Sequence, residues 1–215
     1  MQILLALYLW FYLFLSKIYI VCIKSKAASN NKILFLEIFP EENAGFRYRS
    51  AKWAEYFREY NFQTNIWTIV NSKEKFYNLI KNKKERFFIL NIKKRFFQVI
   101  KSRNYNLVIV RRELLLHNDY GNLFMEKLLL SLHPNVILDF DDDIAAAKKQ
   151  PRKISNWYGK LLFENGNKFN ESLLLYKKFI VGSKYLFNEV LKRNKKAKEE
   201  DIIIVPTLVD YNNFE

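Results

Sequence analysis

Cysteine, histidine and glycine are scarce in this chain, and each shortage removes a class of function. There is one cysteine (Cys22), two histidines (His117 and His133) and five glycines among 215 residues. A lone cysteine excludes an internal disulfide framework and fits a reducing compartment. With no cysteine cluster and two distant histidines, a structural zinc site lacks ligands. The glycines form neither G-x-G-x-x-G nor a Walker loop, so a conventional dinucleotide or P-loop site has no support. Negative charge is also short: 22 acidic residues face 36 basic ones, a formal +14 at pH 7. That balance favours anionic partners such as nucleic acid, a membrane surface or a phosphate-bearing substrate, without choosing among them. The abundance of Lys, Asn, Ile and Phe fits compositional drift equally well.

What is plentiful is apolar. Half the residues are hydrophobic and 17% are aromatic, which marks a folding chain with enough length for one sizeable core and an appendage. Ile3 to Leu15 is an unbroken apolar run, and Ile18 to Ile23 extends it past Ser16 and Lys17. Residues 1–26 therefore predict a hydrophobic helix of membrane-spanning length, able to anchor in or lie on a bilayer. Met1-Gln2 supplies no basic region of the signal-peptide kind, while Lys24, Lys26 and Lys32 follow the run. The positive-inside rule then places the remainder on the cytoplasmic side of the membrane. The competing reading is a mis-called start, with upstream codons translated ahead of the true first strand. Residues 27–32 read as a polar linker.

From Lys32 onward, short β-like runs alternate with helical ones. Strands are predicted at Ile33–Glu37, Thr64–Val70, Leu107–Val110, Val136–Phe140, Phe179–Val181 and Ile202–Val205. Helices are predicted at Tyr48–Tyr60, Lys73–Ile80, Lys93–Arg103, Gly121–Leu132, Asn156–Lys177 and Lys184–Asn194, with Phe87–Ile92 ambiguous. Continuous apolar strands with helices between them argue a parallel sheet covered on both faces. Right-handed crossovers then give a Rossmann-like α/β domain over residues 33–205, whose ligands lie outside the carboxyl ends of the strands.

Those strand ends carry the distinctive residues. Phe39 to Ser50, "FPEENAGFRYRS", places Gly45, Arg47 and Arg49 where a helix begins, a setting for anion recognition or simply a solvated turn. "RREL" follows the middle strand and points two more cations, Arg111 and Arg112, toward the same edge. Gly182-Ser183 follows "FIV", with Ser183 suited to capping the next helix or touching a ligand. After "VILDF" come Asp141, Asp142 and Asp143, so four carboxylates crowd into the five positions from Asp139 to Asp143. A D-x-D at a strand end can hold a metal and a diphosphate, as in GT-A glycosyltransferases. It can also supply a nucleophile and an acid, as in haloacid-dehalogenase-like phosphatases, although here it comes late and is followed by Asp. A third option is an acidic wall that orients a hydroxyl or pairs with arginines across the cleft.

Taken together, "ILFLEIFPEENAGFRYRSAKWAEYF", "VILDFDDDIAA", "FIVGSKYLFNEVL" and "DIIIVPTLVDYNNF" resemble the N-terminal half of GT-B glycosyltransferases of family 4, also called glycosyl transferases group 1. The resemblance covers roughly residues 32–215, and its last motif is Val205-Pro206-Thr207-Leu208-Val209-Asp210. It implies an acceptor-binding domain, with residues 206–215 starting the crossover to a donor-binding domain that this sequence does not contain. By itself the chain is then expected not to transfer sugar. The resemblance favours the acidic wall over a metal site and implies no cofactor, with a nucleotide sugar as co-substrate. It points to Asp141 and Asp142 as the groups that meet the attacking hydroxyl. Gly45, Arg47, Arg49, Arg111 and Ser183 become acceptor-contact candidates, and Asp139 a structural carboxylate. The implied partners are a glycan or lipid-linked acceptor, a nucleotide sugar through the other domain, and a membrane surface. A non-catalytic membrane-associated partner subunit is the alternative. A nucleic-acid binder has only the charge in its favour, since no recognisable module is present.

Overall fold

The computed structural model describes residues 2–82, 84–115, 123–143 and 168–207. Six parallel strands make one sheet: β1 (Lys32–Leu36), β2 (Gln63–Trp67), β3 (Leu107–Arg111), β4 (Val136–Phe140), β5 (Lys178–Val181) and β6 (Ile202–Ile204). Their order is β2-β1-β3-β4-β5-β6, paired parallel throughout. This is the Rossmann-like α/β architecture that the alternating pattern predicts. The chain first steps from β1 outward to β2, then returns past β1 to β3. The carboxyl ends of β1 and β3 therefore flank the point where the winding reverses, the place where such sheets open a crevice.

Side-chain alternation sorts the sheet into two faces. Leu34, Leu36, Val108, Val110, Leu138 and Phe140 point into the larger core. That core is closed by α4 (Lys84–Lys101), α5 (Phe124–Leu132), α6 (Lys168–Leu173) and α7 (Lys184–Arg193), which follow α1 (Gln2–Cys22), α2 (Lys52–Glu59) and α3 (Lys73–Asn82) in the chain. Ile33, Phe35 and Ile109 face the opposite way, where Ala54, Trp53 and Phe57 of α2 cover them.

Several boundaries differ from the sequence expectation, each for a local reason. Phe87–Ile92 lies inside one continuous α4, because Phe88, Ile92, Phe96 and Val99 form a single buried stripe at helical spacing. The helix after β1 opens as a π-helical turn, Phe46–Ala51, before α2 takes over. That wider turn carries Arg49 and Ser50 inward. The second strand stops at Trp67, although Ile69 and Val70 stay buried in a small core of their own with Phe76 and Phe87. Of the long helix expected at 156–177, only Lys168–Leu173 is helical among the described residues, and 156–167 lie outside them.

The N-terminal helix does not stand apart from the domain. Leu5, Leu9, Tyr12 and Leu13 of α1 belong to the same core as the sheet. Tyr12 and Tyr19 meet Phe96 of α4 edge-on, with ring centroids 5.0 and 5.7 Å apart. The segment read as a linker is likewise tied down: Ala28 N–H donates to Tyr105 O at 3.0 Å and Asn31 O accepts from Gln63 N–H at 2.7 Å. Polarity alone suggested a boundary at 27–32, but its backbone groups are satisfied by the domain. Leu9→Ala should therefore cost about 2–5 kcal/mol of unfolding free energy, against under about 0.5 for Leu7→Ala on the exposed side. Denaturant titration of the two variants measures this.

Candidate functional site

At the carboxyl edge of the sheet, charged residues from three strand ends and one loop interlock. Asp139, the fourth residue of β4, turns its carboxylate into the protein and is almost fully buried. Arg49, fully buried, reaches it from the π-helical turn. Its Nε donates to Oδ1 and Oδ2 at 2.8 and 2.9 Å, and its Nη2 lies 2.6 Å from Oδ1. The same guanidinium donates through Nη1 to Val205 O at 2.9 Å, just past β6. Arg49 thus fastens the loop after β1 to the ends of β4 and β6. Burial pushes the Asp139 carboxyl up, while Arg49 and Arg111 pull it back down.

Arg111 closes β3 and bridges two aspartates. Its Nε lies 3.7 Å from Asp139 Oδ2, and its Nη2 donates to Asp141 Oδ1 at 2.5 Å. Burial opposes the Arg111 charge, but Asp139, Asp141 and Glu37 outweigh it and raise its pKa. Its Nη1 is buried and meets no hydrogen-bond acceptor among the described residues. The other Asp141 oxygen accepts from Thr207 Oγ1 at 3.1 Å. Burial raises the Asp141 carboxyl, yet Arg111, Arg49 and the Thr207 hydroxyl together hold it below its ordinary range.

A third carboxylate shapes the floor. Glu37 follows β1 and is buried, and burial raises its pKa against the pull of Arg111 and Ser50. It accepts from Ser50 Oγ at 2.8 Å and from the backbone N–H of Ile38 at 3.1 Å, which holds the turn and the strand end together. Behind it, the buried Arg95 of α4 donates to Glu37 O and Leu114 O, at 2.8 and 3.1 Å, and its pKa is lowered by burial to about 10.

Two backbone positions fix the geometry. Arg112 has φ +65°, a left-handed conformation that non-glycine residues rarely adopt, and its N–H donates to Asp139 O at 2.8 Å. That kink turns the chain sharply after β3, so Arg111 points into the cluster and Arg112 toward solvent, 3.6 Å from Asp142 Oδ2. Gly182 packs flat against Asp141: a Cβ there would lie 2.9 Å from the Asp141 Cα. Only glycine lets β5 end so close to the acidic loop.

The sequence candidates divide accordingly. Arg49, Arg111, Asp139 and Asp141 are one buried network. Gly45 borders it, since a Cβ there would come within 3.5 Å of Arg111 Nη2. Asp142 stands at the rim, its side chain 66% exposed, with a long contact to Arg112 among the described residues. Asp143 turns the other way and accepts from Tyr185 Oη at 3.0 Å. Arg47 is exposed, its guanidinium 5.6 Å from the Tyr48 ring, and does not enter the network. Ser183 caps α7 by accepting from Leu186 N–H at 3.3 Å. Leu208, Val209, Asp210 and His117 lie outside the described residues.

Sequence reasoning missed Glu37, Arg95 and Thr207 as members of the site. Arg112 was visible as the second arginine of "RREL", and Thr207 sits inside the motif after β6. Glu37 looked like the last residue of a strand. Nothing local marks Arg95, a charged residue on a helix whose inward direction depends on tertiary packing.

Chemically, the cluster is balanced inside and adjustable at its rim. Arg49 and Arg111 neutralise Asp139 and Asp141, so the interior of the network is rigid rather than reactive. Asp142 and Arg112 are the groups able to address a ligand, one carboxylate acceptor and one guanidinium donor on neighbouring walls. No protein-family model matches the chain, and no curated protein matches it in sequence. The geometry of these strand ends is therefore the ground for a functional reading.

The Asp141 pKa carries a pH signature. Because its folded value is depressed, its contribution is present above the ordinary value of 3.8 and is lost as pH falls below it. Unfolding midpoints measured from pH 5 down to pH 2 should fall less steeply for Asp141→Asn than for the wild-type chain.

Proposed function

We propose that this domain is the acceptor-binding half of a glycosyltransferase, working at a membrane surface on a glycan or lipid-linked acceptor. The observation that carries the reading is the juxtaposition of Asp142 with Arg112 at the carboxyl edge of the sheet, beside the point where the winding reverses. Exposed carboxylate and guanidinium groups on adjoining loops suit a ligand that offers both hydroxyls and an anionic group. The order of the four quoted motifs, from the loop after β1 to the segment after β6, supports the same assignment by resemblance.

In this reading the buried Arg49–Asp139 pair and the Arg111–Asp141 contact position the walls, and Asp142 accepts a hydrogen bond from the attacking hydroxyl. Asp141 acts through Arg111 and Thr207, as a positioning residue. The nucleotide sugar is the co-substrate and is held by a second domain of the kind the resemblance implies. A non-catalytic partner subunit would use the same rim for binding alone.

Ligand binding tests this without requiring turnover. The chain is titrated with sugars, sugar phosphates and nucleotides while its thermal unfolding is followed. A sugar or sugar phosphate should raise the unfolding temperature, and Asp142→Asn should weaken its binding by about tenfold or more while the unliganded unfolding temperature barely moves. Stabilisation by free nucleotide alone, or equal sugar binding by wild type and Asp142→Asn, would overturn the assignment.

A further inference from the structure

Helix α1 is apolar on both of its sides, and only one side is covered. Leu5, Leu9, Tyr12, Leu13 and Ser16 face α4 and α5 and are buried. On the opposite face Leu4, Leu7, Trp10, Phe11, Phe14 and Val21 are each more than half exposed. A helix that is hydrophobic all round is normally enclosed. Here one continuous strip of large side chains, three of them aromatic on the third and fourth turns, is left facing outward.

The surroundings of the strip are basic. No acidic residue occurs before Glu37, while Lys17, Lys24 and Lys26 are exposed on and just after α1. On the neighbouring α4, Lys93 and Lys101 are exposed beside Phe97, which is itself half exposed. These residues open into a groove with Trp67 and Gln98. We propose that α1 is a monotopic membrane-docking helix. Its outer face enters the acyl boundary of an anionic leaflet while its inner face remains packed on the domain.

Charge and packing select this occupant. A second copy of the chain on the same strip would bring two lysine rims together. An anionic leaflet instead complements the rims, and Trp and Phe suit the headgroup boundary. Spanning the bilayer would require α1 to leave the domain. It would then abandon the Tyr12–Phe96 contact and expose the buried faces of Phe96, Met125 and Leu128 to water.

The orientation also serves the site. Tyr8 Oη donates to Ile89 O near the start of α4, and Arg103, beyond its end, donates to Lys24 O. The two helices therefore run in the same direction. The N-terminal end of α1 lies toward the carboxyl edge of the sheet, where Asp142 and Arg112 open to solvent. A lipid-linked acceptor held in the leaflet then approaches that edge from the side.

This inference rests on the membrane association proposed above and is independent of sugar transfer. The full chain is mixed with phosphatidylcholine vesicles, with and without phosphatidylglycerol, and sedimented. Binding is expected with the anionic vesicles, reduced by salt, and lowered by about tenfold or more in Phe11→Ser/Phe14→Ser. That variant should keep the wild-type unfolding midpoint. Membrane-impermeant maleimide then reports topology on Cys22, and on Gln2→Cys in a Cys22→Ser background, in sealed vesicles with protein added outside. Labelling of both ends from outside is the expected result. Labelling of Gln2→Cys only after permeabilisation means that the helix spans, which overturns this inference alone. No sedimentation with either vesicle, or self-association lost in Phe11→Ser/Phe14→Ser, overturns the membrane association as well.

Discussion

A guanidinium buried against a carboxylate is the constraint on which the carboxyl edge of this domain depends. Arg49 and Asp139 are 90 residues apart in sequence and share two hydrogen bonds and an ion contact in a place that water does not reach. Taking both charges out of water is costly, and only good geometry with further partners offsets it. The partners are present: Val205 O takes a third Arg49 donor, and Arg111 approaches the second Asp139 oxygen. Loss of either member would leave an uncompensated buried charge. The pair thus fixes how the loop after β1, the end of β4 and the segment after β6 sit relative to one another. Asp141, Asp142 and Arg112 inherit their positions from it.

The strands were readable because each is a short apolar run, and burial on both faces of a parallel sheet demands that composition. The acidic cluster was readable as a site because it breaks such a run at its carboxyl end. What the sequence could not separate was the work of the individual carboxylates. Asp139 lies in β4 and Asp141 in the bend that follows it, and both turn inward, while Asp142 in the same bend stays at the rim. Arg47 and Arg49 likewise looked equivalent. Two positions apart in a π-helical turn, one faces solvent and the other the core. Ser183 followed its local chemistry and became a cap.

Helix α1 shows the opposite limit. Its hydropathy was plain, but a run that is apolar on every side has no polar face to reveal what it packs against. The covering of its inner face by α4 and α5 is a property of those helices, whose buried stripes extend outward as well as toward the sheet. The outcome is a third layer on one side of the domain, with the apolar strip on its outer surface and the charged cluster at the adjoining edge. The membrane contact and the acceptor site proposed above would then occupy neighbouring parts of one packed domain.

The central claim, that one buried ion pair organises the site, is tested most directly by a double-mutant cycle on Arg49 and Asp139 using denaturant unfolding. Arg49→Leu and Asp139→Leu should each cost about 3–5 kcal/mol, because each strands its partner's charge. The double variant should be more stable than either single one, with a coupling energy of about 2 kcal/mol or more. Single-variant costs that simply add would contradict the account.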